Sequence, residues 1–351
     1  MSELAFLPAC PLPLADYPTV VLAHGGGGKL SRQLVDDVFL SAYPSPELAR
    51  LHDGAVLDMP GTRLAFSTDS YVITPRFFPG GDIGSLAVHG TVNDLAMCGA
   101  RPVALSVAFI LEEGLPMADL WRIACSMRQA AEAAGVRIVT GDTKVVERGK
   151  ADGIFITTTG VGYVPEGIEV TPTRIAPGDV VLVSGEIATH GIAVMSLRAG
   201  IEFETSLRSD SAPLHGLTGA LLAALGSDVH VLRDPTRGGV ASALNELAQA
   251  AGQGIRIVEA AVPVQEEVRG ACEILGFDPL YVANEGKLIA VVARARADEA
   301  LAVLRAHPLG SAAAIIGEVV ADHPGRVLAR SPIGGLRVVE MLSGEQLPRI
   351  C

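Results

Sequence analysis

The sequence predicts an α/β protein of the mixed α+β kind: two domains in tandem, followed by a short tail. Three observations lead there. Short β-rich runs alternate with apolar-periodic segments on both sides of a break at residues 165–178, which holds three prolines and two glycines. Immediately after the break, the continuous apolar run 180–183 reads as a buried strand opening a second unit. Beyond the strand-like run 336–339, residues 343–351 show neither a helical nor a strand period. At 351 residues the chain is long enough for about two domains that bury their own cores. The predicted organisation is an N-terminal arm at 1–19, a first domain at 20–171, a second at 172–342 and a flexible tail at 343–351.

Taken in order, residues 2–18 hold four prolines and little periodicity, as expected of an irregular arm. In the first domain, strands are predicted at 63–68, 103–110, 136–140 and 154–161, and helices at 82–97 and 117–134. The second domain repeats the pattern, with helices at 188–198, 216–224, 239–251 and 297–306. Its strands are predicted at 180–183, 255–258, 288–292 and 314–319.

Composition narrows the function. A net charge of −12 disfavours nucleic acid and anionic membrane surfaces, so small molecules or proteins are the expected partners. No N-terminal signal pattern and no apolar run of ~18 residues is present, which makes the cytoplasm the expected location. The five cysteines (Cys10, Cys98, Cys125, Cys272 and Cys351) form no C-x-x-C pair, and the histidines form no H-x-x-x-H pattern. Any metal is therefore expected to be a hard cation held by carboxylates.

His24-Gly25-Gly26-Gly27-Gly28-Lys29 follows an apolar run and precedes a predicted helix from Ser31. It offers backbone amides and one lysine to a phosphate, although it departs from both the Walker A and the G-x-G-x-x-G patterns; a plain surface loop is the alternative. Three acidic motifs sit at the predicted ends of elements: Ser67-Thr-Asp69, Asn93-Asp94 and Gly141-Asp142-Thr143-Lys144. Taken alone, Asp69 and Asp142 read as ordinary turn or cap residues and Asp94 as a solvated helix position. Beside a glycine loop, the three read as a carboxylate set for the Mg²⁺ of a nucleoside triphosphate. Lys144 lies two residues beyond Asp142, so an extended segment would project both to one face. His89 shares a helix face with Asn93 and reads as a structural histidine. In the second domain, Arg233-Asp-Pro-Thr-Arg237-Gly-Gly precedes a helix and suits an anion, while Asn284-Glu285-Gly-Lys287 is either a surface turn or the seat of a buried general base.

The glycine loop, the three aspartate motifs and Asp234-Pro-Thr-Arg-Gly-Gly resemble the AIR synthetase superfamily, which includes selenophosphate synthetase and thiamine-monophosphate kinase. Residues 88–97, Asn284-Glu-Gly-Lys287 and the terminal Pro348-Arg-Ile-Cys351 resemble, within it, the HypE family of hydrogenase-maturation carbamoyl dehydratases. The resemblance runs from about Val20 to Cys351. It implies a two-domain AIR synthetase-like fold whose N-terminal domains form a barrel in a homodimer. It also implies ATP-dependent dehydration of a carbamoyl group on Cys351 to a thiocyanate, the source of the cyanide ligands on [NiFe]-hydrogenase iron.

On this resemblance Cys351, Lys144 and Glu285 are the catalytic candidates. Gly25, Gly26, Gly27, Gly28, Lys29, Asn93, Thr143 and Arg237 are the ATP and phosphate candidates, and Asp69, Asp94 and Asp142 the Mg²⁺ ligands. The implied partners are the carbamoyltransferase HypF and the HypC–HypD iron scaffold. A tail of nine residues reaches at most ~30 Å, enough to carry a thiol between an internal site and an outside partner. The alternatives are a small-molecule kinase of the same superfamily, which would not need Cys351, and an ATP-switched scaffold using the tail as a docking peptide.

Overall fold

The computed structural model describes residues 28–33, 36, 55–59, 62–200, 207–344, 347 and 349–351; the predicted arm, Cys10, residues 24–27 and Pro348 lie outside them. The first domain opens with a short helix, α1 (Lys29–Gln33), and an antiparallel pair, β1 (Ala55–Met59) and β2 (Thr62–Tyr71). A small ribbon, β3 (Phe77–Phe78) with β4 (Gly81–Asp82), leads into helix α2 (Ile83–Met97). Strand β5 (Arg101–Glu112), helix α3 (Met117–Ala133), β6 (Arg137–Val146) and β7 (Ile154–Val164) complete it. The sheet order is β1-β2-β7-β5-β6, with only β5 and β6 parallel.

Side chains alternate across this sheet as the pleat requires. Ala65, Ser67 and Tyr71 of β2 and Ile154, Ile156 and Thr158 of β7 are buried under α2, whereas Phe66, Val161 and Tyr163 face outward and are exposed. Helix α2 is apolar on nearly every side, from Ile83 and Leu86 to Val92 and Leu95, because it is enclosed between the sheet, α3 and the second domain. Its start is set by Asp82. That carboxylate accepts from the amides of Gly84 (2.8 Å) and Ser85 (3.0 Å), while Ser85 Oγ accepts from the Asp82 amide (3.1 Å). Such a capping box stabilises the first turn by about 1 kcal/mol.

The second domain contains β8 (Val180–Val183), α4 (Thr189–Ala199), α5 (His215–Leu225), β9 (Val229–Arg233), α6 (Gly239–Ala251) and β10 (Gly254–Val258). There follow α7 (Glu266–Leu275), β11 (Ile289–Val292), α8 (Ala297–Ala306), β12 (Ala314–Val320), β13 (Val327–Arg330) and β14 (Leu336–Val339). Its seven strands are ordered β14-β13-β10-β12-β8-β11-β9. The run Val180-Val-Leu-Val183 is fully buried because helices cover both faces. Val181 and Val183 pack with Val240, Leu244 and Val268, and Val180 and Leu182 with Leu217, Leu221 and Leu304. Each such side chain contributes about 1.5–3 kcal/mol by leaving water.

Two predicted strands prove longer than their patterns. β2 continues to Tyr71 and β6 to Val146, so Asp69 and Asp142 stand inside strands rather than at their ends. Helix α7 is not among the predicted elements, although Val268, Ala271, Cys272 and Leu275 fall at i, i+3, i+4 and i+7 and the first three are buried: a helical period was present there and was missed. Among the described residues no helix is long and apolar enough to cross a membrane.

Candidate active site

The inward alternation of β2 presents Ser67, Asp69 and Tyr71 in one row toward α2. Opposite them Asp94 is the one residue of the last helical turn that is not fully buried, and Ser67 Oγ donates to its Oδ2 at 2.6 Å. Asp69 and Asp94 are thereby held beside Tyr71. Burial pushes the Tyr71 hydroxyl well above its ordinary pKa, and the charges of Asp69, Asp94 and Glu285 push it further.

The second domain supplies the other wall. Asn284 donates through Nδ2 to the carbonyls of Pro235 (2.9 Å) and Val282 (3.0 Å) and accepts from the Ala188 amide (2.7 Å). It thus binds the Asn284–Lys287 turn to the Asp234 loop and to the start of α4. Gly286 permits a chain crossing: a Cβ there would stand 1.7 Å from the Asp210 carbonyl oxygen. Glu285 is 3% exposed, and its Oε1 has no hydrogen-bond partner among the described residues. Burial raises its pKa well above the carboxylate range, and the charges of Asp234, Asp69 and Asp210 act in the same direction against Arg237. The motif is buried rather than a surface turn. Arg237 precedes Gly238 and Gly239, both at positive φ, where a Gly239 Cβ would lie 2.6 Å from the Leu280 carbonyl oxygen; the glycine pair seats α6 tightly and leaves Arg237 exposed at the mouth.

The end of the chain closes the site. Cys351 packs against the apolar cluster of the first domain, and burial of its sulfur raises the thiol pKa. Arg237 opposes that rise, while Glu285, Asp69 and Asp234 reinforce it. Cys351, Arg237, Glu285 and Asp69, distant in sequence, therefore lie within electrostatic reach of one another.

Other predicted residues fall elsewhere. The three aspartates do not converge within one chain. Asp69 is opposite Thr158, Thr158 opposite Val107 and Val107 opposite Gly141, so three strand spacings, about 14 Å, separate β2 from β6. Asp142 pairs with Ala108, on the sheet face that α2 does not cover, and so faces away from Asp69. Lys144 shares that outward face, as its spacing predicts, and donates to Asp142 at 2.6 and 2.8 Å; this bond lowers the Asp142 pKa. Thr143, between them, alternates to the other face, and its amide donates to Asp142 Oδ1 (2.9 Å).

Asn93 is buried with its amide engaged by backbone. It donates to the carbonyls of Ala212 (3.1 Å) and Glu285 (3.3 Å) and accepts from the Leu214 amide (2.7 Å), so it ties residues 207–214 across the seam. Gly28 and Lys29 rest on the second domain, where the Lys29 amide donates to the Leu342 carbonyl (2.9 Å) and its ammonium stands 3.9 Å from Glu340. Gly25, Gly26 and Gly27 lie outside the described residues.

His89 is structural: its Nδ1 meets Ser211 Oγ at 2.9 Å, and burial, with the charge of His215, lowers its pKa to about 4. Sequence reasoning missed Tyr71 and Asp210 as neighbours of the site, and named Asp234 only as part of the motif that carries Arg237. Tyr71 was findable, because it follows Asp69 by two residues on the same strand face; Asp210 sits in a stretch with no period at all.

The whole chain, beyond these residues, is similar to known proteins. The AIR synthase related N-terminal domain matches residues 51–164 and the C-terminal domain residues 176–329. The chain is 56% identical over 333 residues to the carbamoyl dehydratase HypE of Azotobacter vinelandii, covering 95% of this chain and 97% of that one. It superposes on HypE in a HypE–HypF complex with a TM-score of 0.84 at 48% identity, over 88% of this chain and 99% of that chain. It superposes on HypE in complex with ATP with a TM-score of 0.80 at 51% identity, over 95% and 100%. The chain belongs to the AIR synthase related proteins and, within them, to the HypE family.

Proposed function

We propose that the chain dehydrates a carbamoyl group carried on its own Cys351, with ATP, to a protein-bound thiocyanate that supplies cyanide for [NiFe]-hydrogenase iron. The observation that carries this reading is that the end of the chain is docked against the first domain, its backbone bonded to residues 72 and 74, with the Cys351 thiol within electrostatic reach of Arg237, Glu285 and Asp69. Relatives named for this activity at 56% identity, and HypE in complex with ATP at 51%, support it.

The reaction balances as S-carbamoyl plus ATP giving thiocyanate, ADP and phosphate. The carbamoyl oxygen takes the γ-phosphoryl group and the nitrogen loses one proton. The C–O bond then breaks, phosphate leaves with the second proton, and the nitrogen lone pair completes C≡N. Glu285 is the proton acceptor, because it is buried, its Oε1 has no hydrogen-bond partner among the described residues, and its charge acts on the Cys351 thiol. Arg237 stabilises charge developing on the transferred phosphoryl group, and Asp69 and Asp94 are oxygen donors held together that suit a hard cation. Mg²⁺ bound there would neutralise phosphate charge. In the dehydration step the sulfur already carries the carbamoyl group, so Cys351 serves there as a tethered substrate rather than as a nucleophile.

Asp142 and Lys144 require a second chain. The open face of the first-domain sheet exposes Phe66, Ile110, Val161 and Tyr163, and the edge strand β6 exposes Ile138, Val139 and Val145. An apolar face ending in a strand that, among the described residues, pairs only with β5 calls for cover, and a second copy of this domain provides it. In such a homodimer the outward Asp142–Lys144 pair serves the partner's site. HypF, seen with HypE in a complex, is the proposed loading partner, and HypC–HypD the recipient, all in the cytoplasm.

Intact-mass spectrometry tests the reading. After incubation with HypF, carbamoyl phosphate and ATP, the mass of the chain should rise by one carbamoyl group and then fall by one water, both changes mapping to Cys351. ATP turnover that continues unchanged after Cys351→Ala would favour the small-molecule kinase instead.

A further inference from the structure

The last three residues are held by contacts that the dehydration chemistry does not use. The Val72 amide donates to the Cys351 carbonyl (3.1 Å) and the Thr74 amide to the Arg349 carbonyl (3.3 Å). Residues 72 and 74 facing 351 and 349 is the spacing of an antiparallel pair, so the tail extends the pairing of β2 beyond its end at Tyr71. Each terminal residue is also met by a side chain or pocket. The Arg349 guanidinium donates to the Val72 carbonyl (2.8 Å) and pairs with Asp152, which also accepts from the Thr74 hydroxyl (2.9 Å). The Arg349 carbonyl accepts from Arg198. Ile350 is 3% exposed, its side chain inside the apolar cluster of the first domain.

His190 holds the remaining carbonyl. Its Nε2 lies 2.9 Å from the Ile350 oxygen and its Nδ1 2.7 Å from Ser209 Oγ. A carbonyl oxygen only accepts, so Nε2 carries the proton and Nδ1 accepts from the serine. Arg349 itself has φ = 54°, a left-handed conformation disfavoured for a residue with a side chain, and its ring of partners maintains it.

We infer that residues 72–74, Asp152, His190 and Arg198 form a peptide-recognition groove that reads the terminal Arg-Ile-Cys, with the Asp152–Arg349 pair as its selective contact. The groove supplies a strand edge for the backbone, an acid for the arginine and an apolar pocket for the isoleucine. Asp152, His190 and Arg198 are positioning residues: they set where Cys351 rests without touching the reacting atoms. In the context of the proposed dehydration the groove delivers the loaded thiol, but its existence does not depend on that chemistry.

The test measures alkylation of Cys351 by iodoacetamide in the full-length chain without ATP or carbamoyl donor, followed by mass spectrometry of the C-terminal peptide. Asp152→Arg and Arg349→Asp should each speed alkylation roughly tenfold or more, as loss of a charge-assisted hydrogen bond predicts. The double variant, with the charges exchanged, should return to within a few-fold of the parent rate. Arg349→Ala alters only the chain terminus and cannot unfold the domain; it should also accelerate. Parent-like rates in Arg349→Ala and Arg349→Asp, or a double variant as fast as the singles, would overturn the groove. A failure of dehydration with this alkylation pattern intact would count against the proposed function alone.

Discussion

Ser67 Oγ donates a 2.6 Å hydrogen bond to Asp94 Oδ2, joining the middle of β2 to the last turn of α2. The bond fixes which way the Asp94 carboxylate faces, and with it one of the two oxygen donors assigned to the cation. A hydrogen bond to a charged group contributes about 1.5–3 kcal/mol. Ser67→Ala should therefore slow single-turnover dehydration of carbamoylated protein roughly tenfold or more and raise the Mg²⁺ concentration needed for half-maximal rate. Carbamoyl loading by HypF should be unchanged.

Glu285→Gln keeps the shape of the side chain and removes its capacity to take a proton. Thiocyanate formation on pre-carbamoylated protein should fall by about 10²-fold or more, while loading of Cys351 continues at the parent rate. Normal dehydration in this variant would remove Glu285 from the mechanism.

His89 titrates at about 4 in the folded chain, held down first by burial and then by His215, against an ordinary value of 6.5. Between those values the unfolded chain binds a proton that the folded chain refuses, so stability is full above pH 6.5 and falls as pH drops toward 4. The loss from this one group reaches about 3 kcal/mol. Urea midpoints across that window should show the slope, and His89→Asn should flatten it by one proton's worth. His190 and His215, also lowered by burial, keep their share.

Lys144 and Glu285 point to opposite sides of one chain's first-domain sheet and seam. If each site draws Lys144 from the partner, mixing Lys144→Ala with Glu285→Gln protein should restore roughly a quarter of parent activity, since random pairing makes half the dimers mixed and each mixed dimer has one intact site. Recovery should be absent if both residues act within one chain. Subunit exchange followed by a thiocyanate assay reads the difference.

Much of this molecule is legible locally. The helix 239–251 is visible as an apolar period, and the helix 82–97 and the strand 180–183 as apolar-rich stretches buried on nearly every side. The site was legible as chemistry: oxygen donors, an arginine before a glycine pair, a glutamate in a turn, a thiol at the end. What stayed hidden were contacts made by unpatterned stretches. Asp210 and residues 207–214 owe their positions to Asn93 and Gly286, which lie far from them in the chain.

By itself the sequence determined the alternation of elements, the kinds of side chain available for phosphate and proton chemistry, and the presence of a thiol on the terminal residue. Those are properties of residue type and spacing. Only the tertiary structure decided that Asp142 and Lys144 face away from Asp69, and that the tail lies along residues 72–74 with Cys351 beside Glu285. The face a strand residue takes follows from how that strand pairs and which side is covered, and the resting place of a tail depends on groups more than a hundred residues away. Neither is encoded in any local period.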